Sequence, residues 1–212
     1  MDFSFDCWVR WVFDRPVKRR RWYLERFEDP WAEDPRMFLA YLRRLFERPQ
    51  FLPSTYSRDQ VGQGLWFLGD GTASGYMECL FDHAIPFNLR DDAIASIPQL
   101  FRYLFANQCG DALGHLDREG NDALNMTCYM WWDIFPTKGG NERAETLFDT
   151  MSKILVVDSE ACKESALHGL GHAAEKFPDR VKAIIDEFLT RRPKISEQLK
   201  QYALRAREGE IL

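Results

Sequence analysis

Cysteine is sparse in this chain and forms no pattern. Cys7, Cys79, Cys109, Cys128 and Cys162 are five in all, widely scattered, with no C-x-x-C pair. An odd, dispersed set excludes a disulfide framework or a zinc knuckle and reads as reduced thiols in a cytoplasmic protein. Basic charge is not in excess either: 28 Lys and Arg stand against 33 Asp and Glu, for a formal net charge of −5. That balance argues against binding a nucleic-acid backbone, which needs a dense surplus of Lys and Arg, and it suits a basic partner. No apolar run approaches the roughly 20 residues of a membrane span. The opening Met1-Asp2-Phe3-Ser4-Phe5-Asp6 lacks the charged head and apolar stretch of a signal peptide. Strand signal is small too, since residues 154–157 are rich in β-branched side chains but short.

Apolar residues are plentiful, at 45% of the 212 residues with 14% aromatic, so the chain can build a substantial core. Helical periodicity organises them. Val181, Ile184, Ile185, Phe188 and Leu189 fall at i, i+3, i+4, i+7 and i+8, one stripe on a helix. Pro178 fits its first turn and Pro193 marks its end. Ile195, Leu199, Tyr202, Ala203 and Ala206 form a second stripe closed by Gly209 as a C-terminal cap. Two such helices separated by a few residues make an αα-hairpin.

Earlier stripes repeat the theme: Phe38, Leu39, Leu42, Leu45 and Phe46; Ile97, Leu100, Phe101, Leu104 and Phe105; Leu147, Phe148, Met151, Ile154 and Leu155. A second, more uniformly apolar segment follows each, at residues 60–68, 123–135 and 161–177. The first opens with Ser57 and Gln60 in capping-box spacing. Segments apolar on more than one face are expected to pack between neighbours. Residues 107–120 and 137–141 read as connections. The expectation is an all-α chain, a single helical repeat domain over residues 1–212, with an N-terminal helical cap at 1–36 and four helix pairs over 37–212.

Residues 162–172, Cys-Lys-Glu-Ser-Ala-Leu-His-Gly-Leu-Gly-His, followed by the 181–189 stripe, resemble the second helix and following first helix of bacterial HEAT-like (armadillo-type) repeats. The match is specific over the last third of the chain and is one of pattern before that. The resemblance implies an α-solenoid of stacked helix pairs with a curved binding surface, in which Ala166, Gly169, Gly171 and Ala173 let adjacent helices approach. It implies no activity by itself. The irregular repeat length departs from the family and leaves the number of repeats open.

Glu164, His168 and His172 lie at i, i+4 and i+8, so a helix puts all three on one stripe. Two His at i, i+4 can chelate zinc. The metalloprotease motif, however, needs a Glu beside the first His, where this chain has Gly169. The HEAT-like iron hydroxylases carry His-Glu pairs, which are missing here. The pair therefore reads as packing residues, and no metal ligand or cofactor is assigned. Gly62-Gln63-Gly64 and residues 69–75 match neither G-x-G-x-x-G nor a P-loop. The second stretch reads as a helix end and turn. Residues 18–21, Lys-Arg-Arg-Arg, precede Trp22 and Tyr23, but acidic residues follow at once and a solvated turn is expected. Asp111, Asp117 and Glu119 beside His115 form a polar loop cluster.

Tyr129, Trp131, Trp132 and Asp133 concentrate aromatic area beside an acid, and Trp66 and Asp70 occupy similar places one pair earlier. Core packing accounts for most such residues. Those that reach a ridge become interface anchors. The expected function is non-catalytic binding of another, basic protein, as an immunity or inhibitor protein caps a toxin domain. Trp66, Asp70, Tyr129, Trp132, Asp133, His168, His172 and Glu175 are the candidate contacts. The alternatives are a HEAT-like DNA glycosylase, which would need a basic groove, and a metal-dependent enzyme using His168 and His172.

Overall fold

A computed structural model describes residues 4–211 apart from 19–20, 26, 32–33, 117–121, 137–139 and 192–193. Among these residues every regular element is a helix. The N-terminal half holds α1 (Phe5–Phe13), α2 (Pro35–Glu47), α3 (Leu52–Thr55), α4 (Arg58–Gly69), α5 (Phe87–Ala95), α6 (Ile97–Leu100) and α7 (Ala106–Cys109). The C-terminal half holds α8 (Ala123–Tyr129), α9 (Trp131–Ile134), α10 (Ala144–Leu155), α11 (Glu160–Ala173), α12 (Pro178–Thr190) and α13 (Glu197–Arg207). No described helix is long and apolar enough to cross a membrane.

The sequence starts these helices by local chemistry. Ser4, Asp34, Ser57, Asp122, Ser159 and Ser196 each accept a hydrogen bond from a backbone N–H of the first turn, which would otherwise be orphaned. The Ser57–Gln60 capping box is complete in both directions. Pro35 and Pro178 sit at helix starts, where a missing N–H costs nothing. Gly209 turns the chain beyond α13 with φ +75°, a conformation that disfavours any side chain. Pro193, the expected end of α12, lies outside the described residues.

Two rows of helices result. In one, α1 packs on α4, α4 on α8, α8 and α9 on α11, and α11 on α13. In the other, α2 packs on α5 and α6, and these on α10. The buried residues join into one core running from Phe5 to Ala206. As expected of segments packed between neighbours, α4 and α11 are enclosed: in α11 every residue from Ala161 through Gly171 is buried, Lys163, Glu164, Ser165 and His168 included. Their glycines set the spacing. A Cβ on Gly62 would lie 2.6 Å from the Ala123 carbonyl carbon and the Leu124 nitrogen, so α4 and α8 touch backbone to backbone. A Cβ on Gly169 would lie 2.5 Å from the Trp132 ring, so that indole lies flat against α11.

The 97–105 stripe is buried as its spacing predicts, but the helix does not stop there. It passes through a π turn at Phe101–Phe105 and runs on to Cys109, so residues 107–109 extend a helix instead of opening a connection. Residues 123–135 divide at Met130 into α8 and α9. That break aims α9 along α11.

Candidate functional site

The site forms where α9 and the C-terminal half of α11 run side by side. His168 and His172 share one face of α11, as their spacing dictates, and Asp133 projects onto that face from α9. His168 Nε2 lies 2.7 Å from Asp133 Oδ2, and His172 Nε2 lies 2.8 Å from Asp133 Oδ1. The two Nε2 atoms are 3.0 Å apart. The His168 side chain is 1% exposed and that of His172 is 45% exposed, so the cluster spans from core to surface.

A second layer fixes His168. Its Nδ1 lies 2.6 Å from the hydroxyl of Tyr202 on α13, and that hydroxyl lies 3.4 Å from the hydroxyl of Tyr129 on α8. The Tyr129 ring covers His168 at a centroid distance of 4.6 Å. Tyr202 also stacks on His115 at 4.5 Å. Glu164, one turn before His168, does not join the cluster. Its fully buried carboxylate turns instead to the loop after α7, where it accepts hydrogen bonds from the backbone N–H groups of Gly114, at 2.7 Å, and His115, at 3.0 Å, and meets His115 Nδ1. The 164–168–172 stripe therefore divides into a buried loop anchor and a two-histidine site.

Charge and burial compete at Asp133. Burial pushes its carboxyl up, but the hydrogen bonds and charges of His168 and His172 outweigh that and hold it well below the usual carboxylate range. In return the Asp133 hydrogen bond raises His172 above its ordinary value, against desolvation. Burial pushes the Tyr202 hydroxyl up, with Tyr129 and nearby carboxylates adding to it, so Tyr202 stays a neutral phenol.

Asp133 and His172 open onto a cavity of about 620 Å³. Trp132, Phe135, Phe148 and Met151, all buried, and the half-buried Leu147 and Phe177 supply its apolar lining. Asp133, His172, Glu175 and Lys176 are exposed and supply its charged and polar edge. The lining comes from α9, α10, α11 and the residues that follow α11.

Six of the eight sequence-predicted contacts meet here: Tyr129, Trp132, Asp133, His168, His172 and Glu175. Trp66 and Asp70 stand one helix away. Between them in the chain, Gly69 approaches α9: its Cβ would lie 2.8 Å from Ile134. Arg21 covers the Trp66 ring at 4.4 Å. Asp70 accepts from the backbone N–H and hydroxyl of Thr72 and from Trp66, which hold it below its usual range against the opposing effect of burial. Trp131 is core, fully buried against Phe46, Phe101 and Phe105. Of the other flagged clusters, Arg19, Arg20, Asp117 and Glu119 lie outside the described residues, and Asp111 accepts from the N–H of Glu160 as a helix-end contact. Sequence reasoning did not pick out Tyr202, Lys176 or Phe177. Tyr202 sits on the apolar stripe of α13 and carries no mark that separates it from core.

Comparison with protein-family models, with curated proteins and with solved structures finds no match to this chain.

Proposed function

We propose that the protein works by holding another protein, and that the cavity between α9, α10 and α11 receives the partner's anchoring side chain. One observation carries this reading: an apolar floor of aromatic and Met side chains is ringed by Asp133, His172, Glu175 and Lys176. Stable interfaces are built this way, with a desolvated apolar centre inside a polar rim. The volume suits one aromatic or long aliphatic side chain with its neighbours. Glu175, together with a net charge of −5, favours a partner segment carrying Lys or Arg beside that anchor. The two rows of helices support reading the chain as a HEAT-like solenoid, a scaffold that presents extended binding surfaces. The acidic balance fits the narrower form of this reading, an immunity or inhibitor protein that caps a basic toxin domain.

The test is capture from the native cell with the tag-free chain coupled to resin, comparing wild type with Leu147→Arg and Glu175→Arg. The expected result is one stoichiometric basic protein retained by wild type and lost from both variants, each still helical by circular dichroism. Equal retention by all three, or no protein retained by wild type, contradicts the reading.

A further inference from the structure

We propose that Asp133, His168 and His172 hold a divalent transition-metal ion of the zinc class in the wall of the cavity. The assignment stands on the side-chain geometry alone and does not depend on which molecule fills the cavity.

The first argument is donor type and placement. Two imidazole nitrogens and one carboxylate are the three protein ligands of many open zinc and non-haem iron sites. Here each residue offers one ligand atom, and these atoms all lie within 4.8 Å of one another, with nearest separations of 2.7, 2.8 and 3.0 Å. Bonds of about 2.0–2.1 Å place neighbouring donors roughly 2.8–3.0 Å apart in octahedral and roughly 3.3–3.4 Å apart in tetrahedral geometry. Small rotations of Asp133 and of the exposed His172 reach that spacing.

The second argument is convergence. Three polar side chains turn their ligand atoms toward one point, with separations of 2.7, 2.8 and 3.0 Å, and one cation there engages the carboxylate and the Nε2 lone pair of both imidazoles together.

The third argument lies in the second layer. When Nε2 of His168 binds a cation, Nδ1 must carry the hydrogen and needs an acceptor, as metal-bound histidines usually have. The Tyr202 oxygen stands 2.6 Å away, and its own O–H is free to donate to Tyr129 at 3.4 Å. The relay therefore runs consistently outward from the site. His168 is also locked by burial and by the Tyr129 ring, which holds a ligand in place before the ion arrives. Asp133 and His172 line the cavity and His168 lies behind them. The open coordination position thus faces the cavity, available to water or to an oxygen donor of a bound molecule.

The experiment uses the tag-free full chain, stripped with chelator, then titrated with Zn²⁺ by calorimetry and with Co²⁺ as a visible probe. Wild type is expected to take one equivalent and to show the ligand-field bands of a nitrogen- and oxygen-bound ion. His172→Ala, which removes a half-exposed side chain and keeps the fold, and Asp133→Asn are each expected to weaken binding by more than the roughly 10–100-fold that loss of an outer-shell partner costs. Glu187→Gln, an exposed carboxylate on α12 away from the cavity, is expected to bind as wild type does. The proposal is overturned if wild type takes up no stoichiometric metal, or if His172→Ala and Asp133→Asn bind it as wild type does.

Discussion

At the scale of single residues, the stripe of Glu164, His168 and His172 shows what spacing can and cannot tell. Their spacing makes a shared helix face certain once α11 exists. It cannot say what each side chain meets. Glu164 meets a loop 50 positions away in the chain, at Gly114, and His168 meets Asp133, 35 positions away. Those meetings depend on how the loop after α7 and helix α9 lie against α11, which no local pattern encodes. A second polar junction carries a test. Arg58 donates from Nε to Asp122 Oδ2 at 2.6 Å and from Nη2 to Asn125 at 3.2 Å, while Asp122 also caps α8. Burial raises the Asp122 carboxyl, but its bonds from Arg58 and from the N–H groups of Asn125 and Leu124 hold it below its ordinary value. A carboxylate depressed in the folded state stabilises the protein above its unfolded pKa of about 3.9, and that contribution fades as pH falls through the folded value. Asp122→Asn keeps a good cap but loses the charge. In urea titrations the variant is expected to be less stable than wild type at neutral pH, with the gap narrowing as the pH drops below about 4. A gap independent of pH contradicts the account.

At the scale of elements, periodicity located the helices well because it is written by each segment's own burial. The 38–46, 147–155 and 181–189 stripes are the buried faces of α2, α10 and α12. The apolar segments at 60–68 and 161–177 became the enclosed α4 and α11. The π turn at Phe101–Phe105 and the break at Met130 were not legible, since both arise from packing between helices and neither needs Gly or Pro. Small residues in the second helices were legible as approach points, and Gly62 makes this quantitative. Gly→Ala in an exposed helix interior stabilises by about 1 kcal/mol through propensity. At Gly62 the new Cβ would meet α8 backbone at 2.6 Å, which cannot swing aside as a side chain can. Overpacking of that kind costs about 1–3 kcal/mol or more. Gly62→Ala is therefore expected to lower the thermal midpoint measured by circular dichroism, and a raised midpoint would show that α4 and α8 are not in backbone contact.

At the scale of the whole molecule, the row of enclosed helices brings its C-terminal ends to one side. Asp70 lies beyond α4, Asp133 on α9, and His172 and Glu175 at the end of α11. The cavity beside these residues was not foreseen. Leu147, Phe148 and Met151 come from α10, which packs with α5 and α6, and their stripe reads as ordinary core. Cavity volume is a property of three helices at once, so it has no signature in any one of them. The proposed recognition is therefore local to the cavity between α9, α10 and α11, and exposed apolar positions elsewhere, such as Val156 at the opposite end of α10, have no part in the proposal. The most direct measurement is site-specific photocrosslinking in the native cell, with a photoreactive phenylalanine analogue placed at Leu147 or at Val156. A discrete crosslinked adduct from position 147 and none from position 156 is the predicted result. An adduct from 156 with none from 147, or no adduct from either, contradicts it.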